Sequence, residues 1–303
     1  MSPRAPAHRR TPRVEMPGAR RALRDLSEVV SAPLPTLSGD DLGHFGPGSV
    51  AWRIHRDPAY GIGGVASLFH QAMHPVAMAA VDEFSDFAYN AWVRTWRTTE
   101  WVFTVVFGGT AAAETASARV RRLHERIRGT DPVTGRSYRA DDQDLLLWVH
   151  SVGVEYSLRA YETYAHRLPH ADADRFVAEM RASGALVGLE HGSMPETVAE
   201  LRSYLESMRA EMQMTEPAYA FFRAFLKARM PLSMRGLWAL HVVGMAALLP
   251  PDVRRAYDLP RWIPTGRAAQ TAVRLLLRGM NVAYPLFPPI RAARRRLDEL
   301  ERG

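Results

Sequence analysis

Two arginines and three threonines stand between tryptophans in the stretch WVRTWRTTEW, residues 92–101, which contains the pattern Arg94-x-x-Arg97-Thr98. Packing a guanidinium among aromatic rings is costly unless its charge has a partner. The partner is either an internal carboxylate, for which Asp82, Glu83 and Asp86 are the nearest candidates, or an anion on a bound ligand. Both interpretations stay open at the level of these residues alone.

Eleven histidines and no cysteines restrict any metal chemistry to imidazole and oxygen ligands, or to a metal inside a cofactor. His70 and His74 have the i, i+4 spacing of two ligands on one helix face, but HQAMH lacks the glutamate of a zinc protease motif. Pro75 follows at once and opens the helix. We therefore expect His74 to cap or brace a kink rather than to bind zinc.

His124 lies in ARVRRLHERIRG, whose apolar stripe is predicted to contain Ala116, Val120, Leu123 and Ile127. At about 100° per residue, His124 falls at the edge of the buried face. A histidine in this place is either an ordinary hydrogen-bonded core residue or a ligand.

His150 lies in LLLWVHSVGVEY, a strongly apolar segment. Burial disfavours the imidazolium ion, so we expect a neutral ring. A histidine that binds a metal must be neutral, and an inert histidine in the core is neutral as well, so neutrality does not distinguish the two roles. Gly153, one turn later, leaves space for a flat group to approach.

The chain has 303 residues, 47% of them hydrophobic and 23% charged, which is typical of a globular protein. Its formal net charge is +7, with many of the arginines near the two ends. This favours solvated tails over a nucleic-acid site, although contact with an anionic membrane surface stays open. No apolar run follows the first arginines, so we expect no secretory signal and a cytoplasmic protein.

Helical spacing recurs from about residue 43 to the end, with no run of alternating strands. Helices are expected to break near Pro75, to end at Gly108 and Gly109, and to end at Gly129, before a turn-rich segment that is a loop or a short hairpin. We predict a loosely attached basic arm over residues 1–40 and one all-α domain over residues 41–303.

The ordered set of these segments resembles the MpaB-type and latex-clearing (rubber oxygenase) haem proteins. The segments that carry the resemblance span roughly residues 43–210, and they are GSVAWRIHRDP, LFHQAMHPVAMAAVDEFSDF, RTWRTTEWVFTVVFG, ARVRRLHERIRG, YRADDQDLLLWVHSVGVEYSLRAY and LVGLEHGSMPETVAELRSYLESM. The resemblance implies an all-helical fold of globin-like character around a b-type haem that is held by a histidine.

The resemblance also implies roles for individual residues. His124 is the expected axial ligand of the haem iron, with His150 as the alternative. In the latex-clearing branch an Arg-x-x-Lys-Thr segment lies over the haem, and Arg94, Arg97 and Thr98 match it except that Arg97 replaces the lysine. A guanidinium has no lone pair to donate, so Arg97 is expected to hold a haem propionate or to polarise bound oxygen. Glu83 is the expected acidic base.

These observations favour a haem-dependent oxygenase or related oxidoreductase that uses dioxygen on an apolar small molecule. One alternative is a haem-binding sensor or carrier without turnover, which needs the same histidine and arginines. Another is a helical membrane-surface protein without a cofactor, in which the arginine-rich ends contact anionic lipid.

Overall fold

The structure is a computed structural model that describes residues 37–84, 87–227, 232, 235–281 and 287–302, without the side chains of residues 83–84 and 87–96. Within these residues the fold is a single all-α domain, as the sequence predicts. It contains thirteen α-helices and one two-stranded hairpin: α1 (Val50–His55), α2 (Ala59–Gln71), α3 (Pro75–Phe84), α4 (Phe87–Phe107), α5 (Thr110–His124), β1 (Arg128–Thr130), β2 (Ser137–Arg139), α6 (Gln143–Tyr164), α7 (His170–Leu186), α8 (Val198–Ser207), α9 (Glu216–Leu226), α10 (Arg235–Leu248), α11 (Pro251–Ala256), α12 (Arg267–Met280) and α13 (Pro288–Leu300).

The predicted break at Pro75 separates α2 from α3. His74 accepts the Ala77 N–H at its Nδ1 atom over 3.2 Å, and its carbonyl accepts the Met78 N–H over 2.9 Å. The imidazole therefore satisfies one of the free N–H groups at the start of α3. This confirms that His74 caps the break, and it shows that His70 and His74 do not share one helix.

The expected helix end at Gly129 is wrong, because α5 ends five residues earlier at His124. Residues 125–127 turn the chain, and β1 then pairs antiparallel with β2, with Gly129 opposite Tyr138. Asp131 closes the hairpin by accepting the Val133 and Thr134 N–H groups at 3.1 and 3.0 Å. The carboxylate favours this turn over a further helical turn.

Helix α2 lies at the centre of the core, between α6 and α10. Its residues Ile62, Ala66 and Phe69 are fully buried. Two glycines permit this close packing: a Cβ at Gly63 would lie 2.5 Å from the Tyr156 carbonyl oxygen of α6, and one at Gly244 of α10 would lie 2.8 Å from Ile62 Cδ1. A larger residue at Gly63 would meet the backbone of α6 and push α2 out of its place, whereas one at Gly244 would require the Ile62 side chain to shift.

Arg296 ties the last helix to the beginning of the described chain. This arginine is 5% exposed and donates to the Phe107 carbonyl at 3.1 Å and to the Asp41 carbonyl. Asp41 accepts the Thr110 N–H at 2.9 Å, and the Ser38 carbonyl accepts the Gly109 N–H at 3.0 Å. Residues 37–41 thus pack on the α4–α5 turn, whereas residues 1–36 of the predicted arm lie outside the described residues.

Candidate functional site

His124 is the last residue of α5, and its side chain is half-buried with a buried Nδ1 atom. The buried positions of this helix are Ala113 and Ser117, and Val120 and His124 continue the same stripe one turn at a time. Leu123 was expected in the buried stripe, and that expectation is wrong because the residue is 57% exposed. His124 therefore lies on the packed face itself.

The register of α4 against α5 is set by Trp101, whose Nε1–H donates to Ser117 Oγ over 3.0 Å. The two helices run antiparallel through the turn at Gly108 and Gly109. Seven residues are two helical turns, and they return to nearly the same face. Arg94 precedes Trp101 by seven residues and His124 follows Ser117 by seven, so this count leads us to expect positions 94 and 124 at the same level of the helix pair. The side chain of Arg94 lies outside the described residues.

Arg97 and Thr98 are both exposed on α4. Arg97 makes no salt bridge with any residue that the structure describes. Of its sequence-proposed internal partners, Asp82 is exposed, while the side chain of Glu83 and the whole of Asp86 lie outside the described part. Neither the internal carboxylate nor a ligand anion is thereby assigned to Arg97.

His150 lies on α6 against the last turns of α7. A Cβ added to Gly184 would lie 3.3 Å from His150 Cε1. Burial lowers the pKa of His150 to about 4. The ring is therefore neutral at physiological pH and keeps a lone pair for a ligand or a hydrogen bond.

His150 is itself half-buried, and two of its neighbours on α6 are not fully buried. Val149 is 42% exposed, and Gly153 is half-buried with no atom nearer than Gln71 Nε2, 4.0 Å from an added Cβ. Most other positions of this helix between Leu145 and Ala160 are buried. The space beside Gly153 that the sequence suggested is present, next to an apolar wall.

His124 and His150 both border the carboxyl end of α7. His150 lies against Gly184, and Arg121, one turn before His124, donates to the Leu186 carbonyl. Among the described residues, α4 thus packs on α5, α5 on α7 and α7 on α6, and the two histidines lie on different helices. Glu83 lies near the end of α3, and no contact of its side chain is described.

The sequence did not single out the buried pair of His70 and Tyr156. Their rings meet edge to face at 5.5 Å, and His70 Nε2 lies 3.1 Å from Met212 Sδ. Burial lowers the pKa of His70 to about 4. Within the described residues, neither His70 Nδ1 nor the Tyr156 hydroxyl has a hydrogen-bond partner. Met212 is 142 residues from His70 along the chain, so no spacing pattern in the sequence reveals this group.

The described residues fit a haem group by the chemistry of their donors. They provide a neutral imidazole at His150, a half-buried imidazole at His124, the open wall beside Gly153 and the exposed guanidinium of Arg97. Haem needs only one axial protein ligand, whereas a bare metal ion needs several. In the part of the chain that the structure describes, no three or more His, Asp or Glu residues lie together as a metal site.

None of the helices in the described ranges has the length and apolar character that crossing a bilayer requires. No curated protein and no solved structure matches the chain. The family model described as "ER-bound oxygenase mpaB/B'/Rubber oxygenase, catalytic domain" matches residues 52–282, which include every sequence-predicted site residue. Because this match covers well over half of the sequence, the chain belongs to the mpaB/rubber oxygenase catalytic-domain family.

Proposed function

We propose that the protein is a haem b-dependent oxygenase that acts with dioxygen on an apolar small molecule. The expected common level of positions 94 and 124 across α4 and α5 carries the proposal, in a chain of an oxygenase family. An imidazole on one helix opposite an arginine pair on the next offers an iron ligand and a carboxylate partner to one bound group.

His124 is the proposed iron ligand, and His150 lines the same pocket with its neutral ring. Arg94 and Arg97 hold the propionate carboxylates of the haem, for which Arg97 is suitably exposed. Haem b, when bound, supplies the redox chemistry that dioxygen needs before it reacts with an organic substrate. Thr98 and Glu83 are proposed to contact the reacting groups, with Glu83 as a base.

The apolar side chains of α6 determine the class of substrate in this proposal. Leu146 is buried, and Val149 is the exposed apolar residue next to His150. Such a wall binds hydrocarbon surface and keeps water from the reacting atoms, which strengthens the polar contacts made inside the pocket. A charged substrate would find no partner along this stripe of α6.

The test is to express the chain with haem supplied and to record absorption spectra of the ferric, dithionite-reduced and carbon monoxide forms. An intense band near 400 nm that shifts on reduction and again with carbon monoxide is expected. Oxygen uptake is then measured with a panel of apolar alkenes. Spectra without uptake would favour the sensor or carrier, and a chain that takes up no haem on titration would refute the proposal.

A further inference from the structure

A second cleft lies at the opposite end of α6 from His150. Its volume is about 890 Å³, and it is bordered by the end of α6, the start of α7, α8 and α12. Twelve residues separate His150 from Glu162 at this cleft, which corresponds to about 18 Å along a helix. The cleft is therefore distinct from the proposed haem site.

Four arginines line the cleft, and Glu162 is the one carboxylate among its described lining residues. Arg202 has a carboxylate partner, since its Nε atom lies 3.2 Å from Glu155 Oε2. Glu155 is shared with Arg159, at 3.0 Å. Asp174, beside the cleft, already accepts the Val198 N–H at 2.8 Å and lies 3.0 Å from His170 Nδ1. Glu155 and Asp174 are thus engaged, whereas Glu162 makes no salt bridge with the residues that the structure describes.

The other three arginines lack a carboxylate partner. Arg274 donates from Nε to the Thr163 carbonyl over 2.8 Å, a contact that holds the guanidinium in place without neutralising it. Arg167 and Arg278 make no salt bridge with residues in the described ranges, and both are exposed. Three guanidinium groups around one concave surface give a positive potential that favours an oxyanion.

The rest of the cleft wall is mixed: Thr163, His166 and His170 are polar, and Leu168 is the half-buried apolar residue. Further apolar residues complete this wall. Leu158, Ala173 and Val198 are among them and are buried, with exposures of 0, 7 and 8%. An inorganic ion has no apolar surface to bury here, whereas burial of the hydrocarbon part of an organic anion favours binding. Arg274 is held in place, Arg167 and Arg278 are exposed, and part of the wall is apolar. This combination fits a molecule that has both an anionic group and a hydrocarbon part.

We propose that this cleft binds a small organic oxyanion, with its phosphate or carboxylate group on Arg167, Arg274 and Arg278 and its apolar part on the half-buried Leu168. Guanidinium groups bind both phosphate and carboxylate groups through paired hydrogen bonds, so the arginines can recognise either kind of anion. A phosphate monoester carries more charge than a carboxylate and is the favoured head group at three arginines.

Isothermal titration calorimetry of the full chain with phenyl phosphate, benzoate and inorganic phosphate at constant ionic strength tests the proposal. Phenyl phosphate is expected to bind with a Kd below about 1 mM and at least tenfold more tightly than inorganic phosphate. Tighter binding of benzoate than of phenyl phosphate would assign the site to carboxylates. Absence of binding by both organic anions at millimolar concentration would overturn the proposal.

Arg278→Gln and Arg167→Gln are exposed changes that are expected to keep the parent melting temperature and to weaken binding by about tenfold each, since a charged hydrogen bond is lost. The matched control is Arg267→Gln, an exposed arginine of the same helix α12 that does not line the cleft. Equal weakening by Arg267→Gln would show attraction by general surface charge and would overturn a specific site.

Discussion

The indole nitrogen of Trp101 donates to the hydroxyl oxygen of Ser117 across 3.0 Å, and this contact aligns α4 with α5. Ser117 is fully buried, so the alignment is fixed within the packed interface rather than at the surface. Counting two helical turns further from the connecting turn, we expect positions 94 and 124 at one level. The proposed pocket therefore depends on a hydrogen bond that lies two helical turns from His124, its proposed iron ligand.

Replacing His124 by Ala is expected to remove most of the haem, because the proposed iron ligand is lost. His150→Ala is expected to keep the haem and change its absorption spectrum, since the neutral ring beside Gly184 is proposed to line the pocket without binding the iron. Haem content per chain after purification is the measurement. His170→Ala, whose side chain is 83% exposed, is the control and should match the parent. Loss of haem in His150→Ala together with retention in His124→Ala would reverse the two assignments.

Arg97→Ala is expected to speed haem release by about tenfold, because one charge-assisted contact to a propionate is removed from an exposed position. The rate is measured by transfer of haem to an acceptor protein in excess. Arg119→Ala is a suitable comparison, since Arg119 is exposed on the neighbouring helix α5. Equal rates in the parent and in Arg97→Ala would remove Arg97 from the haem site.

A pair of adjacent glycines in α2 tests the central packing of the fold. Gly63→Ala is expected to destabilise the protein by about 1–3 kcal/mol, because its Cβ would lie 2.5 Å from the Tyr156 carbonyl oxygen and 2.9 Å from Ala160 Cβ. Gly64→Ala meets no atom within 4 Å and should stabilise the helix by up to about 1 kcal/mol. Urea unfolding of both variants measures the free energies, and similar changes at the two positions would contradict the proposed crossing of α2 and α6.

Local signals in the sequence predicted much of the helix pattern. Gly108 and Gly109 indicated the end of α4 at Phe107, and Pro75 indicated the break that His74 caps. The end of α5 was misplaced because Gly129 looked like a helix stop, whereas the chain leaves the helix at His124 to form the hairpin closed by Asp131. The turn that the Asp131 carboxylate stabilises by accepting backbone N–H groups thus determined the local structure, and Gly129 lies in a strand instead of ending a helix.

The candidate site was predictable only in part. Arginine spacing and histidine position singled out Arg94, Arg97, His124 and His150, but the expected shared level of positions 94 and 124 rests on a tertiary contact, Trp101 with Ser117. The contact of His70 with Met212 likewise joins segments that are distant in the sequence. Such pairings depend on how helices cross, and residue periodicity specifies only which face of each helix is buried.

Stability is expected to fall between about pH 6.5 and pH 4 through His55. This residue is 1% exposed, and burial lowers its pKa to about 4 from an ordinary value of 6.5. Its Nδ1–H donates to the Ala51 carbonyl over 2.7 Å. Above pH 6.5 both the folded and the unfolded chain carry a neutral ring. Below that pH the unfolded chain binds a proton that the folded chain resists, so acid favours unfolding until about pH 4.

The contribution of His55 is about 1.4 kcal/mol of unfolding free energy per pH unit inside that window. His55→Gln keeps a side-chain N–H and removes the titration, so its unfolding free energy should depend less steeply on pH by about that amount. Urea unfolding at pH 4.5, 5.5, 6.5 and 7.5 measures the two slopes. Identical slopes for the parent and His55→Gln would show that His55 does not resist protonation in the folded protein.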